Sequence, residues 1–172
     1  LYSIWNFSDS LTIKGESKEN TILTNVSNYY SSGSSANLNM ENVTLVLDGQ
    51  LAQANIEGDV RLSNIDINVS REARVIDGFL FNIDGNNIII EDVTFNSEYQ
   101  FDSDYEYSGI YLRRYDNVEI NNLTINSNGS PLTKGLVLDN VESAFINNLT
   151  VNNCQVGLYV HRTIDDMIDS KV

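Results

Sequence analysis

Residues 118–125 read Val-Glu-Ile-Asn-Asn-Leu-Thr-Ile, in which an asparagine separates two alternating apolar pairs. Such alternation is typical of a β-strand that buries one face, and an asparagine between two strands is typical of a tight turn. Full copies of this pattern begin at Leu38, Val60, Ile88, Val118 and Ala144. A partial copy begins at Leu11 and a degraded one at Asp166, so successive copies start 22 to 30 residues apart. This repeat predicts a solenoid of stacked coils.

A second motif, a glycine followed by two alternating apolar residues, precedes the later copies. It begins at Gly78, Gly109, Gly135 and Gly157. Each repeat therefore contains three short strands, one after the glycine and one on each side of the asparagine turn. No long stretch has helical periodicity. We predict an all-β protein, a right-handed single-stranded parallel β-helix of about six to seven coils of 22–30 residues, stacked ~4.8 Å apart.

The repeat also accounts for part of the high asparagine content, 24 residues of 172. One position of the pattern is filled by Asn42, Asn64, Asp92, Asn122 and Asn148, with Ser170 in the degraded copy. In a stacked solenoid these side chains lie above one another, so each amide can bond the next coil and satisfy polar groups of the turn. We therefore predict an Asn ladder. The alternative is that asparagine is simply a common turn residue.

Composition excludes several classes of function. The 24 acidic and 10 basic residues give a net charge of −14, which excludes a phosphate-neutralising nucleic-acid binder. No apolar run reaches the roughly 18 residues needed for membrane insertion. One cysteine and one histidine exclude a disulfide framework, a multi-cysteine zinc site and a two-histidine metal centre. We expect no nucleic-acid partner and no membrane span.

The chain length predicts one domain over residues 1–172. We interpret residues 1–10 as an N-terminal cap or an incomplete coil. The C-terminal end of the solenoid is expected to be open or truncated, which would leave strand edges for end-to-end assembly, for a homo-oligomer, or for continuation of the solenoid in a longer chain.

The coils resemble those of the pectin-lyase-like superfamily of parallel β-helices, and residues 11–23, Leu-Thr-Ile-Lys-Gly-Glu-Ser-Lys-Glu-Asn-Thr-Ile-Leu, resemble an early coil of that group. The resemblance covers roughly residues 11–172. It implies an extracellular, cell-surface or virion-surface location and an interaction with polysaccharides. The superfamily includes lyases, hydrolases, esterases, epimerases, phage tailspikes and non-catalytic adhesins, so the fold alone does not select one activity.

No complete catalytic motif of these families is present. A polygalacturonase-like site requires clustered aspartates followed by His-Gly and Arg-x-Lys, whereas here His161 precedes the pair Asp165-Asp166 and is followed by Arg162. The calcium-binding acidic set of pectate lyases and the two-aspartate set of pectin esterases also lack their flanking sequence. We therefore favour a non-catalytic role and keep a polysaccharide lyase or glycoside hydrolase as the alternative.

The strands that follow the glycines predict two outward rows. The first contains Tyr111, Val137 and Tyr159, and the second contains Asn82, Arg113, Asp139 and His161. Tyr111 and Tyr159 could stack on a sugar ring, and Arg113 could bind its carboxylate. Asp139 and His161 could exchange a proton, so Arg113, Asp139 and His161 are the catalytic candidates. The alternative is an ordinary polar surface with an ion pair.

The longest insertion, residues 96–108, provides further candidates. Its aromatic residues Tyr105 and Tyr107 could contact a ligand, since long loops on a solenoid often carry binding residues. Its carboxylates at Asp102, Asp104 and Glu106 could bind Ca²⁺, although they lack the spacing and the glycine of a calcium loop. No other cofactor is expected.

The sequence thus predicts an extracellular or surface-displayed β-helix that acts as a scaffold and contacts a polysaccharide or a cell-surface glycan. The alternative is a lyase or hydrolase of the pectin-lyase-like group, and the third interpretation is a tailspike-type segment.

Overall fold

The computed structural model describes residues 3–7, 9–24, 26–31, 36–47, 53–55, 58–70, 79–98, 108–129 and 131–162. Within these ranges the chain forms twelve β-strands and no helix. The strands are β1 Ser3–Phe7, β2 Leu11–Lys14, β3 Ile22–Thr24, β4 Val26–Ser31, β5 Leu38–Leu47, β6 Gln53–Asn55, β7 Val60–Val69, β8 Phe79–Ser97, β9 Ser108–Ser127, β10 Leu132–Asp139, β11 Ser143–Asn152 and β12 Cys154–His161. In this part of the chain no helix is long and apolar enough to cross a membrane.

Every strand pairing is parallel, and the pairings form two adjoining ladders. The first ladder stacks β2, β5, β7, β8, β9 and β11 in order, with β3 beside β5. The second stacks β1, β4, β6, β8, β9, β10 and β12. This is the parallel β-helix that the repeat predicts.

The register of the first ladder aligns the sequence repeats residue by residue. Val60 pairs with Leu38 and Ile88, and Val118 pairs with Ile88 and Ala144. A shift of one residue would turn every apolar side chain of a strand to solvent. The apolar alternation therefore fixes the register even though the coils differ in length.

The three short strands expected in each coil are fused into longer ones. β9 runs for 20 residues and passes through two left-handed bends, at Arg114 (φ 58°) and Asn122 (φ 59°). A single residue in this conformation turns the chain sharply, and asparagine tolerates it better than most L-residues. The bends therefore change the direction of the strand without interrupting its ladder.

The described solenoid amounts to about four turns, so the expected six to seven coils were too many. Six strands do stack in the first ladder, but several coil-closing segments lie outside the described residues, as does the degraded copy that begins at Asp166. Counting copies of one strand pattern counts rungs of one ladder and does not count closed turns.

The core is a column of aliphatic side chains from successive coils. In β9 the fully buried residues follow the predicted alternation, with Ile110 and Leu112 after the glycine, Ile120 before the bend, and Leu123 and Ile125 after it. The counterparts of Ile120, Leu123 and Ile125 on β5, β7 and β8 are equally buried. Burial of these side chains, each worth about 1.5–3 kcal/mol, is the main driving force of the fold.

The recurring glycine has a packing reason. A Cβ on Gly109 would lie 2.8 Å from the Gly135 carbonyl oxygen, and a Cβ on Gly135 would lie 2.7 Å from the Gly157 carbonyl oxygen. Side chains at these positions would collide with the backbone of the following coil. The motif is therefore required by the close stacking of coils.

The predicted Asn ladder is confirmed, with one interruption. Asn64 donates to Asn42 Oδ1 (2.8 Å), Asn122 to Asp92 Oδ1 (2.8 Å) and Asn148 to Asn122 Oδ1 (2.9 Å). Asp92 has no N–H to donate to Asn64, because its carboxylate is only an acceptor. All five positions have φ between 53° and 59°, so the ladder residues also form the bends.

Two further files of side chains were not predicted. The first joins Asn68, Asn96, Asn126 and Asn152 through hydrogen bonds of 2.8–3.0 Å between their side-chain amides. In the second, Asn117 donates to Asn87 (3.0 Å) and Asn87 donates to Asp59 (2.9 Å). These files account for more of the asparagine content than the predicted ladder alone.

Candidate functional site

The outward row of β9, β10 and β12 is in register across three coils. Asp139 pairs with Arg113 on one side and with His161 on the other. Val137 likewise lies between Tyr111 and Tyr159. The strands after the glycines therefore bring the predicted candidates together on one face.

Asp139 is the centre of this face. Its Oδ2 accepts a hydrogen bond from Tyr111 Oη (2.7 Å), and its Oδ1 lies 2.9 Å from His161 Nδ1. Asn140 Nδ2 donates to the same Oδ1 at 3.2 Å. The carboxylate is thus bound through both oxygens, which fixes its orientation.

Asp139 is buried although it points outward, with only 9% of its side chain exposed. Burial by itself would raise the pKa of Asp139, but the hydrogen bonds from His161 and Tyr111, and then the Arg113 charge, outweigh it and lower that pKa. Asp139 is therefore ionised at neutral pH. It can orient other groups and carry negative charge, but it has no proton to donate.

Arg113 holds its guanidinium against this carboxylate, with Nε 3.3 Å from Asp139 Oδ2. The pair is electrostatic, since this buried N–H has no aligned hydrogen-bond partner in the described structure. The next residue, Arg114, has φ 58° and corresponds to Asn140 (φ 53°) in the following coil. A left-handed arginine costs roughly 1–2 kcal/mol, which marks this bend as strained.

The outer surface of the cluster is aromatic and basic. The rings of Tyr159 and His161 are parallel within 10°, with centroids 6.5 Å apart. Lys134 Nζ lies 4.4 Å from the Tyr159 ring centroid, in a cation–π arrangement. The His161 side chain is 52% exposed, so its imidazole edge reaches solvent.

This geometry allows one proton-transfer role. When the neutral His161 ring donates Nδ1–H to the ionised Asp139, its Nε2 is left as a hydrogen-bond acceptor and base. A carboxylate that holds a histidine in one tautomer is the arrangement found in acid–base dyads. The tautomer follows from the charge of the partner and the 2.9 Å distance.

Sequence reasoning missed Lys134 and Asn140. It considered only the residues that follow the glycine, whereas Lys134 precedes Gly135 and reaches across to Tyr159 on the next coil. Asn140 continues the row at the bend after β10, where its left-handed φ corresponds to that of Arg114. The signal available in the sequence was an asparagine directly after Asp139, the member of the outward row on β10.

Tyr105, Tyr107, Asp102, Asp104 and Glu106 lie outside the described residues. Among the residues that are described, no group of three His, Cys, Asp or Glu side chains could hold a metal ion. Calcium binding by the insertion stays a prediction. Asn82 pairs in register with Arg113, as the outward row requires.

The lowered pKa of Asp139 predicts a pH-dependent stability difference. The folded protein binds this proton less tightly than the unfolded chain, so the stabilisation is present above the ordinary value of 3.8 and is lost as the pH falls through the lowered pKa. Asp139→Asn replaces the carboxylate with an amide, whose NH₂ group faces other hydrogen-bond donors. It is expected to lower the free energy of unfolding by about 2 kcal/mol at pH 7. The difference from wild type should shrink below pH 3.8.

Urea denaturation between pH 2 and 8 measures this difference. Asp116→Asn is the matched control, because Asp116 is exposed on the neighbouring strand β9 and lies outside the cluster. A difference between wild type and Asp139→Asn that does not vary with pH would show that the Asp139 charge adds nothing to stability.

A parallel solenoid with stacked asparagine files and a polar row along one sheet defines the class of pectin-lyase-like β-helices. Residues 4–170 match the family model described as rhamnogalacturonase A/epimerase, pectate lyase-like, and the chain belongs to this family. Members of this family are typically secreted or extracellular. No curated protein and no solved structure matches the chain.

Proposed function

We propose that this protein is an extracellular or surface-displayed β-helix that contacts an acidic glycan through the face around Asp139. The observation that carries the proposal is the group of aromatic and basic side chains, Tyr111, Arg113, Lys134, Tyr159 and His161, assembled from three successive coils around one buried carboxylate. Family membership supports a polysaccharide ligand.

Local charge favours an acidic sugar despite the net charge of −14. The buried Asp139 is balanced by Arg113, while Lys134 lies at the outer surface beside Tyr159. A sugar ring can stack on an aromatic face, and a uronate carboxylate can pair with a cation beside it. A chain with few cations that places Lys134 beside this ring and Arg113 in the same cluster is suited to such a ligand.

Calorimetry with oligogalacturonides, and with neutral dextran oligosaccharides for comparison, tests the proposal. Tyr159→Ala and Arg113→Ala are expected to weaken binding of the acidic oligosaccharide about tenfold each, the equivalent of about 1.4 kcal/mol. The control is Arg61→Ala, which removes an exposed arginine that lies in the first ladder and pairs with Glu91. Wild-type affinity in both site variants would overturn this proposal.

A catalytic function is the second candidate, and the Asp139–His161 pair is the observation that favours it. In β-elimination His161 Nε2 would take the C5 proton of a uronate, the C4–O bond would break, and its electrons would leave with the departing sugar oxygen. Absorbance of the unsaturated product would identify a lyase, and reducing ends without that absorbance a hydrolase. If the wild-type protein binds the polysaccharide and releases neither product, the result supports the non-catalytic function.

Assembly of the solenoid stays a prediction. The inward residues of the last described rung are partly exposed, with Leu158 at 42% and Val160 at 64%, so β12 has an apolar edge. Such edges favour pairing with another strand. Homo-oligomerisation and end-to-end association are expected outcomes that light scattering can measure.

A further inference from the structure

The unpredicted file of Asn68, Asn96, Asn126 and Asn152 has a direction. Each amide donates from Nδ2 to the Oδ1 of the preceding coil, at 2.8 Å from Asn152, 2.9 Å from Asn126 and 3.0 Å from Asn96. Hydrogen bonds arranged head to tail polarise one another. The donor at the first amide of the file is therefore strengthened by the three bonds behind it.

In the part of the chain that the structure describes, that first donor has no acceptor. Asn68 pairs in register with Val46 on the preceding coil, and a valine side chain cannot accept a hydrogen bond. Among the described residues, Asn68 Nδ2 has no hydrogen-bond partner, although its Oδ1 accepts from Asn96. The file ends in an unpaired amide.

A cavity of about 550 Å³ opens at this end of the file, and Asn68 and Val46 line it. Its other wall is a row of polar residues, Ser70, Glu98 and Asn128, from three consecutive coils. The Ser70 hydroxyl is buried without a hydrogen-bond partner in the described part of the chain. Two rows of side chains thus face a space of the size that holds small ligands.

We propose that this cavity, which we call the ladder-head groove, binds a neutral saccharide independently of the Asp139 face. Asn68 Nδ2 donates to one sugar hydroxyl oxygen, and the Glu98 carboxylate accepts a hydrogen bond from another hydroxyl. Sugar hydroxyls suit this wall because each is both donor and acceptor. Glu98 is the one charged side chain among the described lining residues, so an acidic sugar would be repelled.

Two variants make the Asn68 donor unavailable to a ligand without breaking the file. Val46→Asn supplies an Oδ1 to Asn68 and extends the ladder by one rung, so it should abolish binding while keeping or raising the melting temperature. Asn68→Asp keeps the acceptor for Asn96, as Asp92 does for Asn122, and replaces the donor with a carboxylate oxygen. Arg61→Ala, on the same strand as Asn68 but outside the groove, is the control that should bind like wild type.

The measurement is an NMR titration of the side-chain amides of the full chain, assigned by the loss of the Asn68 signals in Asn68→Asp. The probes are lactose, cellobiose and maltose, with galacturonate and Ca²⁺ alone as comparators. A neutral disaccharide is expected to shift the Asn68 amide, and Val46→Asn and Asn68→Asp to lower its affinity at least about tenfold.

Three results would overturn the proposal. The first is that no neutral disaccharide shifts the Asn68 side-chain amide signal. The second is that wild type and whichever donor variant folds bind the disaccharide with equal affinity. The third is that Ca²⁺ or galacturonate shifts the Asn68 signal while no neutral sugar does. Because Arg113→Ala leaves the ladder-head groove unchanged, it should not affect this binding, which separates the groove from the Asp139 face.

Discussion

Gly135→Ala is expected to lower the free energy of unfolding by about 3 kcal/mol, the upper end of the cost of overpacking. The new Cβ would lie 2.5 Å from Val151 Cγ1 and 2.7 Å from the Gly157 carbonyl oxygen. The Val151 side chain can rotate, but the Gly157 carbonyl belongs to β12, which parallel pairing holds against β10. Relief therefore requires the two coils to separate. Urea denaturation followed by circular dichroism measures the loss.

Gly157→Ala is the matched control from the same motif. Its nearest contact would be Val151 Cβ at 3.8 Å, an ordinary van der Waals distance. We expect a change within about 0.5 kcal/mol, as for other tolerated surface substitutions. Equal losses at the two glycines would show that the motif is conserved among the coils for a reason other than stacking against the next coil.

Asn122→Ala is expected to cost roughly 2–3 kcal/mol, because it combines two losses. Asn122 donates to Asp92 (2.8 Å) and accepts from Asn148 (2.9 Å), and both bonds disappear. In addition, φ at this position is 59°, a conformation that alanine adopts less readily than asparagine. Thermal and urea unfolding of the variant measure the sum.

Asn122→Gly separates these two contributions, since glycine adopts a left-handed conformation freely and loses only the bonds. It should be more stable than Asn122→Ala by about 1 kcal/mol. Asn147→Ala is the control for a neighbouring amide. Its bond to Asn121 is longer, at 3.3 Å, and its backbone is not left-handed. A loss at Asn147 as large as at Asn122 would contradict the role assigned to the bend.

The fold could be predicted from sequence because the apolar alternation on each side of Asn122 admits one register with the coils above and below. The number of closed turns could not, because the segments that close a coil carry no such alternation. The files through Asn68 and Asn87 were also missed. Their members lie directly before or directly after the repeated pattern, where alternation no longer distinguishes one outward position from another.

The site was predicted in part. Alternation after the glycine placed Arg113, Asp139 and His161 in one row, and the structure brings them into contact. The burial of Asp139 could not be predicted, because it depends on large side chains that neighbouring coils place beside it. Lys134 was missed for a similar reason, since its contact with Tyr159 joins two coils.

The most direct test of the central proposal uses the single histidine of the chain, which gives one pair of imidazole nitrogen signals. These signals are followed by NMR while an oligogalacturonide is added at pH 7, with a neutral dextran oligosaccharide as the control. We predict an Nε2 signal that moves with the acidic ligand and saturates at the calorimetric affinity. A His161 signal that stays unchanged while calorimetry shows the acidic ligand bound would contradict the assignment of this face as the glycan-contacting surface.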